Sequence, residues 1–522
     1  MKTGMYTAKK ITALTAGMLL LILTGAPAAQ KPNILFILVD DMGWSDLGCY
    51  GSEIHTPNID SLAADGIRFT QFYNTAKCNT TRASLLTGLY HQQCDMVKPR
   101  AIKNGVTLGE VLRPAGYRTL ASGKHHGTEN LIDRGFDHYY GLRDGCCNFW
   151  NPGVKRDGEP EPGRKSRVRF WCDDEKTYRP YTPENRDFYT TDAFTDRALE
   201  WLDEPELDEQ PFFLYLAYTA PHYPLHAWPE DIAKYEGMYD EGYLPIREAR
   251  YKRMVNMGLV DPKKAPLPEW TQQDWDALGD LERRKEIRRM EIYAAMLDRA
   301  DQNIGRILSK LKAQGKLNNT LIFFASDSGA CPEEDINTKF KSTRLEDFGT
   351  VASYEAVEEN WATVQNTPLR KWKTYSHEGG IRTPLIVHWP DGIQKTGSFN
   401  DQPGHLIDIM PTLVELTGAA YPDAFNGKPV LPMQGTSLLP ALEGKPLDRR
   451  NPIFWQYKFG GAIRDGHMKA VFWNTPGQDR QWELYDFSKV RNETDNLAAT
   501  MPEQLEAMKE QWQTWHDSVT SD

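Results

Sequence analysis

Apolar runs of strand length, each ending in acids, histidines or lysine, constrain this chain more than any other feature. Asn33-Ile34-Leu35-Phe36-Ile37-Leu38-Val39 ends in Asp40-Asp41, and Tyr117–Ala121 ends in Ser122-Gly123-Lys124-His125-His126. Phe212–Tyr218 leads to Thr219-Ala220-Pro221-His222, and Leu321–Ala325 leads to Ser326-Asp327-Ser328-Gly329. Leu385–His388 supplies another candidate strand. Continuous apolar runs suit strands buried on both faces of a parallel sheet, and open α/β sheets place ligands at strand carboxyl ends. Helical patterns fall between them: one opens at Thr56-Pro57, with Thr56 as cap and Gly66 as stop, and another covers Thr191–Leu202. A long one from about Arg288 to Gln314 carries Ile292, Met296, Ile304, Ile307, Leu308 and Leu311 as its stripe. The alternation predicts an α/β fold with a large, mostly parallel central sheet flanked by helices.

Two stretches, 145–190 and 228–290, break the pattern and read as long insertions over the strand ends. In the first, the basic and aromatic run Arg164 to Trp171 is expected to border a substrate pocket. Arg167 and Arg169 would hold anionic groups there, and Trp171 would stack on a sugar ring. Beyond residue 440 short strands follow without intervening helices: Ile453–Tyr457, Gly461–Arg464, Met468–Phe472 and Trp482–Phe487. A last helix carries Leu505, Met508, Trp512 and Trp515. The expected organisation is a signal peptide over 1–29, a catalytic domain over 30–440 and a smaller C-terminal α+β subdomain over 441–522, an antiparallel sheet plus helix.

Lys2, Lys9 and Lys10, the apolar run Ile11–Gly25 and Ala26-Pro27-Ala28-Ala29 read as an export signal, placing the mature chain in the periplasm or outside the cell. That run is too short to span a bilayer, and no later run is long enough, so no membrane span is expected in the mature chain. The net charge of −11 implies no general affinity for nucleic acid. Seven cysteines suit an exported protein without forming a disulfide framework, and the odd number leaves at least one unpaired.

Asp40, Asp41 and Asp327 end two of the strands. If those strands are neighbours, three carboxylates crowd together, and a hard divalent cation, Ca²⁺ or Mg²⁺, relieves their repulsion. The stretch Cys78-Asn79-Thr80-Thr81-Arg82-Ala83-Ser84-Leu85-Leu86-Thr87-Gly88 reads as a short helix, capped by Thr80 or Thr81 and ended by Gly88 in the left-handed conformation. Its amino end would favour an anion beside Cys78.

Cys78, Arg82, Leu86, Thr87 and Gly88 resemble the signature of the type I, formylglycine-dependent sulfatases, arylsulfatase-like members of the alkaline phosphatase superfamily. Thr80 stands at that signature's usual proline, and Thr81 where serine is frequent. Asp40, Asp41 and Asp327 match the family's metal residues, with Ser328 in its asparagine position. Lys124 and His126 resemble its Gly-Lys-x-His motif and His222 its Ala-Pro-His motif, while Lys373 precedes Glu378-Gly379-Gly380 as the family's lysine precedes Glu-Gly-Gly. The resemblance implies hydrolysis of aryl or carbohydrate sulfate esters, with a sulfated small molecule or saccharide as substrate. It also implies a formylglycine-generating maturation enzyme as partner, oxidation of Cys78 to formylglycine, and one divalent cation, Ca²⁺ before Mg²⁺. Asp40, Asp41, Asp327 and Ser328 would hold the metal. Arg82, Lys124 and Lys373 would hold anionic oxygens, His222 would protonate the leaving alcohol, and His126 would take the proton that lets sulfate leave. The alternatives are a phosphonate or phosphodiester hydrolase of the same superfamily and an inactive relative that binds sulfated glycans.

Overall fold

The computed structural model describes residues 31–162, 169–333, 344–474 and 477–520, with Met1 and Gly4. The described residues from Pro32 to Thr520 form one compact unit. The expected signal segment lies outside the described residues except for Met1 and Gly4, and Arg164 and Arg167 also lie outside them. No helix among the described residues is long and apolar enough to cross a membrane.

Eleven strands form the main sheet. In chain order they are β1 (Asn33–Val39), β2 (Ile67–Tyr73), β3 (Arg118–Gly123), β4 (His138–Leu142), β5 (Trp171–Asp173) and β6 (Lys176–Tyr178). β7 (Phe212–Ala217), β8 (Thr320–Ser326), β9 (Arg382–His388), β10 (Ser398–Asn400) and β11 (Gly404–His405) complete it. The order is β10-β2-β9-β8-β1-β7-β3-β4-β5-β6, with β11 also paired to β2. The centre, β8-β1-β7-β3-β4, is parallel throughout. β9 runs antiparallel to both β8 and β2. β1 shows why its sequence is continuously apolar: Leu35, Ile37 and Val39 enter one core cluster, and Ile34, Phe36 and Leu38 enter the cluster on the opposite face. The helices Thr190–Trp201 and Asp280–Ala313 cover the first face. The helices Cys78–Thr87 and Ile409–Thr417 contribute Leu85, Leu86, Ile409, Met410 and Leu413 to the second.

A hairpin, β12 (Ala424–Phe425) with β13 (Lys428–Pro429), precedes a separate antiparallel meander. That meander is β14 (Ile453–Tyr457), β15 (Gly460–Asp465), β16 (Met468–Trp473) and β17 (Gln481–Asp486). The helix Pro502–Thr520 buries Leu505, Met508, Trp512 and Trp515, four residues spaced on one helical face.

Several local expectations change. Part of the first insertion is not a loop over the strand ends, because β5 and β6 extend the sheet edge antiparallel to β4. Trp171 is fully buried in the core, stacked at 4.7 Å on Tyr181 and 5.4 Å on Phe194, so it presents no face to a sugar. Thr56 does not cap its helix through the side chain; its hydroxyl accepts the Gly48 N–H at 2.9 Å and donates to Asp60 at 3.1 Å. That helix ends at Ala64, before Gly66.

Candidate active site

Strand direction explains which residues meet. β1 lies between β7 and β8, both parallel to it, with Val39 level with Ser326, so Asp40 and Asp327 leave the sheet side by side. β3 brings Lys124 to the same edge two strands away. β9 runs the opposite way, so its amino end, preceded by Lys373 and Glu378, reaches the edge where β8 delivers its carboxyl end. β2 is antiparallel to β9 and runs with β8, delivering the helix that begins at Cys78 to that edge.

The signature helix spans Cys78–Thr87, one turn earlier than a Thr80 or Thr81 cap requires. Lys77 is its extended N-cap residue. The Thr80 hydroxyl donates to the Lys77 carbonyl at 2.8 Å, and the Thr81 hydroxyl accepts the Thr75 N–H at 3.0 Å. Both threonines therefore fasten the turn before the helix. Gly88 ends it as expected, with φ 69° and its N–H on the Ser84 carbonyl at 2.9 Å.

Buried cations and carboxylates alternate around Cys78. The Lys124 ammonium donates to Asp40 Oδ2 at 2.5 Å and the Lys373 ammonium to Asp41 Oδ2 at 2.5 Å. Arg82 forks onto Asp327 Oδ2 through Nε at 2.8 Å and Nη2 at 2.7 Å, and its Nη1 donates to the Lys124 carbonyl at 2.7 Å. Asp327 Oδ1 accepts the Asp41 N–H at 3.2 Å, and the Ser328 hydroxyl donates to Asp41 Oδ1 at 2.6 Å. His222 Nε2 lies 3.3 Å from Asp41 Oδ2, while its Nδ1 faces the Tyr223 carbonyl at 2.5 Å. His126 sits in the left-handed region with φ 65°, and its Nδ1 is buried without a hydrogen-bond partner.

Burial and charge set the protonation states. Burial works against the Asp41 anion, but the Lys373 ammonium, with Lys124 behind it, outweighs it and holds its carboxyl below the usual range. Burial and the neighbouring Asp327 push Asp40 well above that range, against Lys124 and Arg82. Burial pushes the Cys78 thiol up despite Lys124, Lys373 and Lys77, so an unmodified Cys78 is a neutral thiol and a weak nucleophile. Burial, reinforced by Lys124, keeps His126 well below its ordinary value; burial does the same to His222 in spite of Asp41. Both imidazoles are neutral at rest.

Residues 32–419 match the Sulfatase family. The chain belongs to the sulfatase family. Its residues 371–517 also match the C-terminal region of N-sulphoglucosamine sulphohydrolase. This sulfatase is 33% identical over 525 residues to an uncharacterised sulfatase of Schizosaccharomyces pombe, across 93% of each chain. It is 32% identical over 469 residues to the arylsulfatase of Klebsiella aerogenes, across 84% of this chain and 98% of that one. The solved structure of Ps i-CgsB in complex with k-i-k-neocarrahexaose superposes with a TM-score of 0.65 at 25% identity, covering 93% of both chains. These relationships place the sulfatase in the alkaline phosphatase superfamily and make it a sulfuric ester hydrolase.

The donor set of the sulfatase fits a cation. Ligand atoms of Asp40, Asp41, Cys78 and His222 all lie within 4.8 Å of one another, and Asp40 Oδ1 is buried without a hydrogen-bond partner. Asp327 and Ser328, also expected as ligands, turn their oxygens to the Asp41 N–H, to Arg82 and to Asp41 Oδ1. Three neighbours escaped the reading of motifs. Lys77 flanks the signature and lies 3.9 Å from Glu333, as does Lys373. Cys331 Sγ is 3.3 Å from the Lys373 ammonium. The Tyr223 ring packs 4.1 Å from that of His222 and under Lys373. Lys77 was legible from its place beside Cys78; a lone cysteine and a tyrosine after Ala-Pro-His carry no such signal. Arg169, expected at a substrate pocket, is buried with Nη2 3.1 Å from Cys146 Sγ.

Proposed function

We propose that this sulfatase is an exported enzyme that hydrolyses sulfate esters of saccharides or aryl alcohols, with residue 78 matured to formylglycine and one divalent cation, Ca²⁺, bound beside it. The observation that carries this reading is the alternation around residue 78: three buried cationic side chains, each paired with one of three buried aspartates. A sulfate oxyanion needs the cations, and a divalent ion needs the carboxylates. The arylsulfatase relative, the sulphohydrolase match and the saccharide-bound structural neighbour support the substrate class. The positively charged start and small-residue end of residues 1–29 support export.

When bound, the cation would supply Lewis-acid polarisation of the sulfate and of the attacking oxygen. Formylglycine would supply two hydroxyls in its hydrated form, one to attack sulfur and one whose ionisation releases sulfate. Asp40 and Asp41 would hold the cation. Lys124, Lys373 and Arg82 sit where they can neutralise the sulfate oxygens while keeping the carboxylates fixed. His222 keeps its Nδ1–H on the Tyr223 carbonyl, so Nε2 is the atom that exchanges a proton, beside Asp41. An entering anion would favour the protonated ring, which then delivers that proton to the leaving alcohol as the S–O bond breaks. His126, neutral and with a free Nδ1, would take the second proton.

A mass spectrum of the peptide bearing residue 78, with turnover of sulfate and phosphate monoesters, tests the reading. Formylglycine at position 78, preference for sulfate esters and inactive Cys78→Ala protein of unchanged melting temperature are expected. Full sulfate-ester turnover by protein whose residue 78 is wholly thiol would overturn the proposed nucleophile.

A further inference from the structure

A cavity of about 650 Å³ is lined in part by Arg370, Lys371 and Trp372, the residues that lead to Lys373. Arg247, Gln272, Arg370, Lys371, Trp372 and Glu483 are among the residues that line it. Arg247, on the helix Tyr243–Asn256, is 4% exposed. Its Nη2 donates to the Pro268 carbonyl at 2.7 Å, its guanidinium lies 5.6 Å over the Trp270 ring, and its Nε is buried without a partner. It forms no ion pair among the described residues, and burial pulls its pKa below the ordinary guanidinium value, opposed by Glu248 alone. A buried guanidinium without a carboxylate is costly, and an oxyanion offers the fork of acceptors that its donors require.

The rest of the lining is consistent with an anionic guest. Lys371, in the left-handed region at φ 65°, lies 5.7 Å over the Trp372 ring and 5.1 Å over that of Tyr375, and it too forms no ion pair among the described residues. Of the three acids that line the cavity, Glu269 is exposed and forms no ion pair among the described residues, whereas the other two are already engaged. Glu483 accepts from Arg370 at 3.1 Å and from Tyr485, and Glu493 accepts from Lys469 at 2.8 Å and from the Glu378 N–H at 2.9 Å. The volume falls within the range of sites that enclose small ligands, and Trp372 contributes to its wall.

We propose that this cavity is a second, non-catalytic sulfate-binding site, in which Arg247 and Lys371 hold the sulfate group of a saccharide against Trp372. It goes beyond the hydrolytic site and holds whether or not residue 78 is matured. Lys371 is two residues from Lys373, so a guest braces the loop whose next lysine grips Asp41.

Calorimetric titration of the full chain carrying Cys78→Ala tests this, using sodium sulfate, N-acetylglucosamine 6-sulfate and N-acetylglucosamine at matched ionic strength. Two sites are expected for the sulfated sugar. Arg247→Met should remove one of them or weaken it at least tenfold, and Lys371→Gln should weaken the same one several-fold. Melting gives a second measurement: without ligand Arg247→Met should melt no lower than its parent, and with sulfated sugar it should gain less. Binding of sodium sulfate at the Arg247-dependent site would identify free sulfate as a sufficient guest, whereas binding of the sulfated sugar alone would identify the ester. Equal binding of unsulfated sugar, or two unchanged sites in both variants, would overturn the proposal.

Discussion

Lys469 offers the sharpest test of how the C-terminal sheet is joined to the catalytic sheet. It lies on β16, fully buried, with its ammonium 2.7 Å from Glu378 Oε1 and 2.8 Å from Glu493 Oε1. Glu378 belongs to the segment that enters β9, and its Oε2 accepts from the Tyr73 hydroxyl at 3.1 Å. Burial opposes its charge, but Lys469 first, then Arg382 and Arg464, hold its carboxyl below the usual range. Lys469→Met removes the cation and strands two buried carboxylates, a change that costs about 3–5 kcal/mol in comparable pairs. For a unit of about 490 residues, an unfolding entropy of about 2.1 cal/mol/K per residue gives about 1 kcal/mol per degree, so melting should fall by about 3–5 °C. The two carboxylates then share a proton, which raises a folded-state pKa above its unfolded value; the variant should therefore lose further stability as pH rises above the ordinary glutamate range. Adding Glu493→Gln removes one of the two charges and should recover part of the loss. Melting curves at pH 5 and pH 8 make the measurement. A Lys469→Met protein that melts within about 1 °C of the parent at both pH values would refute the reasoning.

Two further predictions follow from buried groups at other places. His405 accepts the Ile407 N–H through Nδ1, and burial holds its pKa near 3, against an ordinary 6.5. Between those values the unfolded chain binds the extra proton, so this contribution is complete above pH 6.5 and fades as pH falls toward 3, by up to about 5 kcal/mol. His405→Asn, which keeps an acceptor and removes the titration, should flatten the loss of stability from pH 7 to pH 4, and an unchanged pH profile would count against it. A Cβ at Gly329 would fall inside contact distance of the Gly379 carbonyl, where the turn after Ser328 passes the turn after Lys373. Gly329→Ala should therefore lower kcat at least tenfold with little change in secondary structure by circular dichroism; wild-type kcat would show that the two turns can separate freely.

The sequence by itself determined the parts whose environment is uniform along the chain. β1, β7 and β8 are buried on both faces, so their composition alone marks them, and the polar residues that follow mark the functional edge. β2 escaped because Arg68, Thr70 and Gln71 interrupt its apolar residues, although Thr70 and Gln71 are buried by neighbours that come from distant sequence. Trp171 read as a surface aromatic among arginines, yet its strand joins the sheet edge and carries it into the core. Asp40, Asp41, Lys124, His126, His222 and Asp327 were visible as charges or histidines after apolar runs, whereas Cys78, Arg82, Ser328 and Lys373 were visible only through the motifs they resemble. What only the tertiary structure decided was the pairing: Lys124 to Asp40, Arg82 to Asp327, Lys373 to Asp41. Those pairs depend on strand order and on β9 running against β8, and neither is encoded in local pattern, because a strand's own residues look the same whichever neighbour it takes and whichever way that neighbour runs.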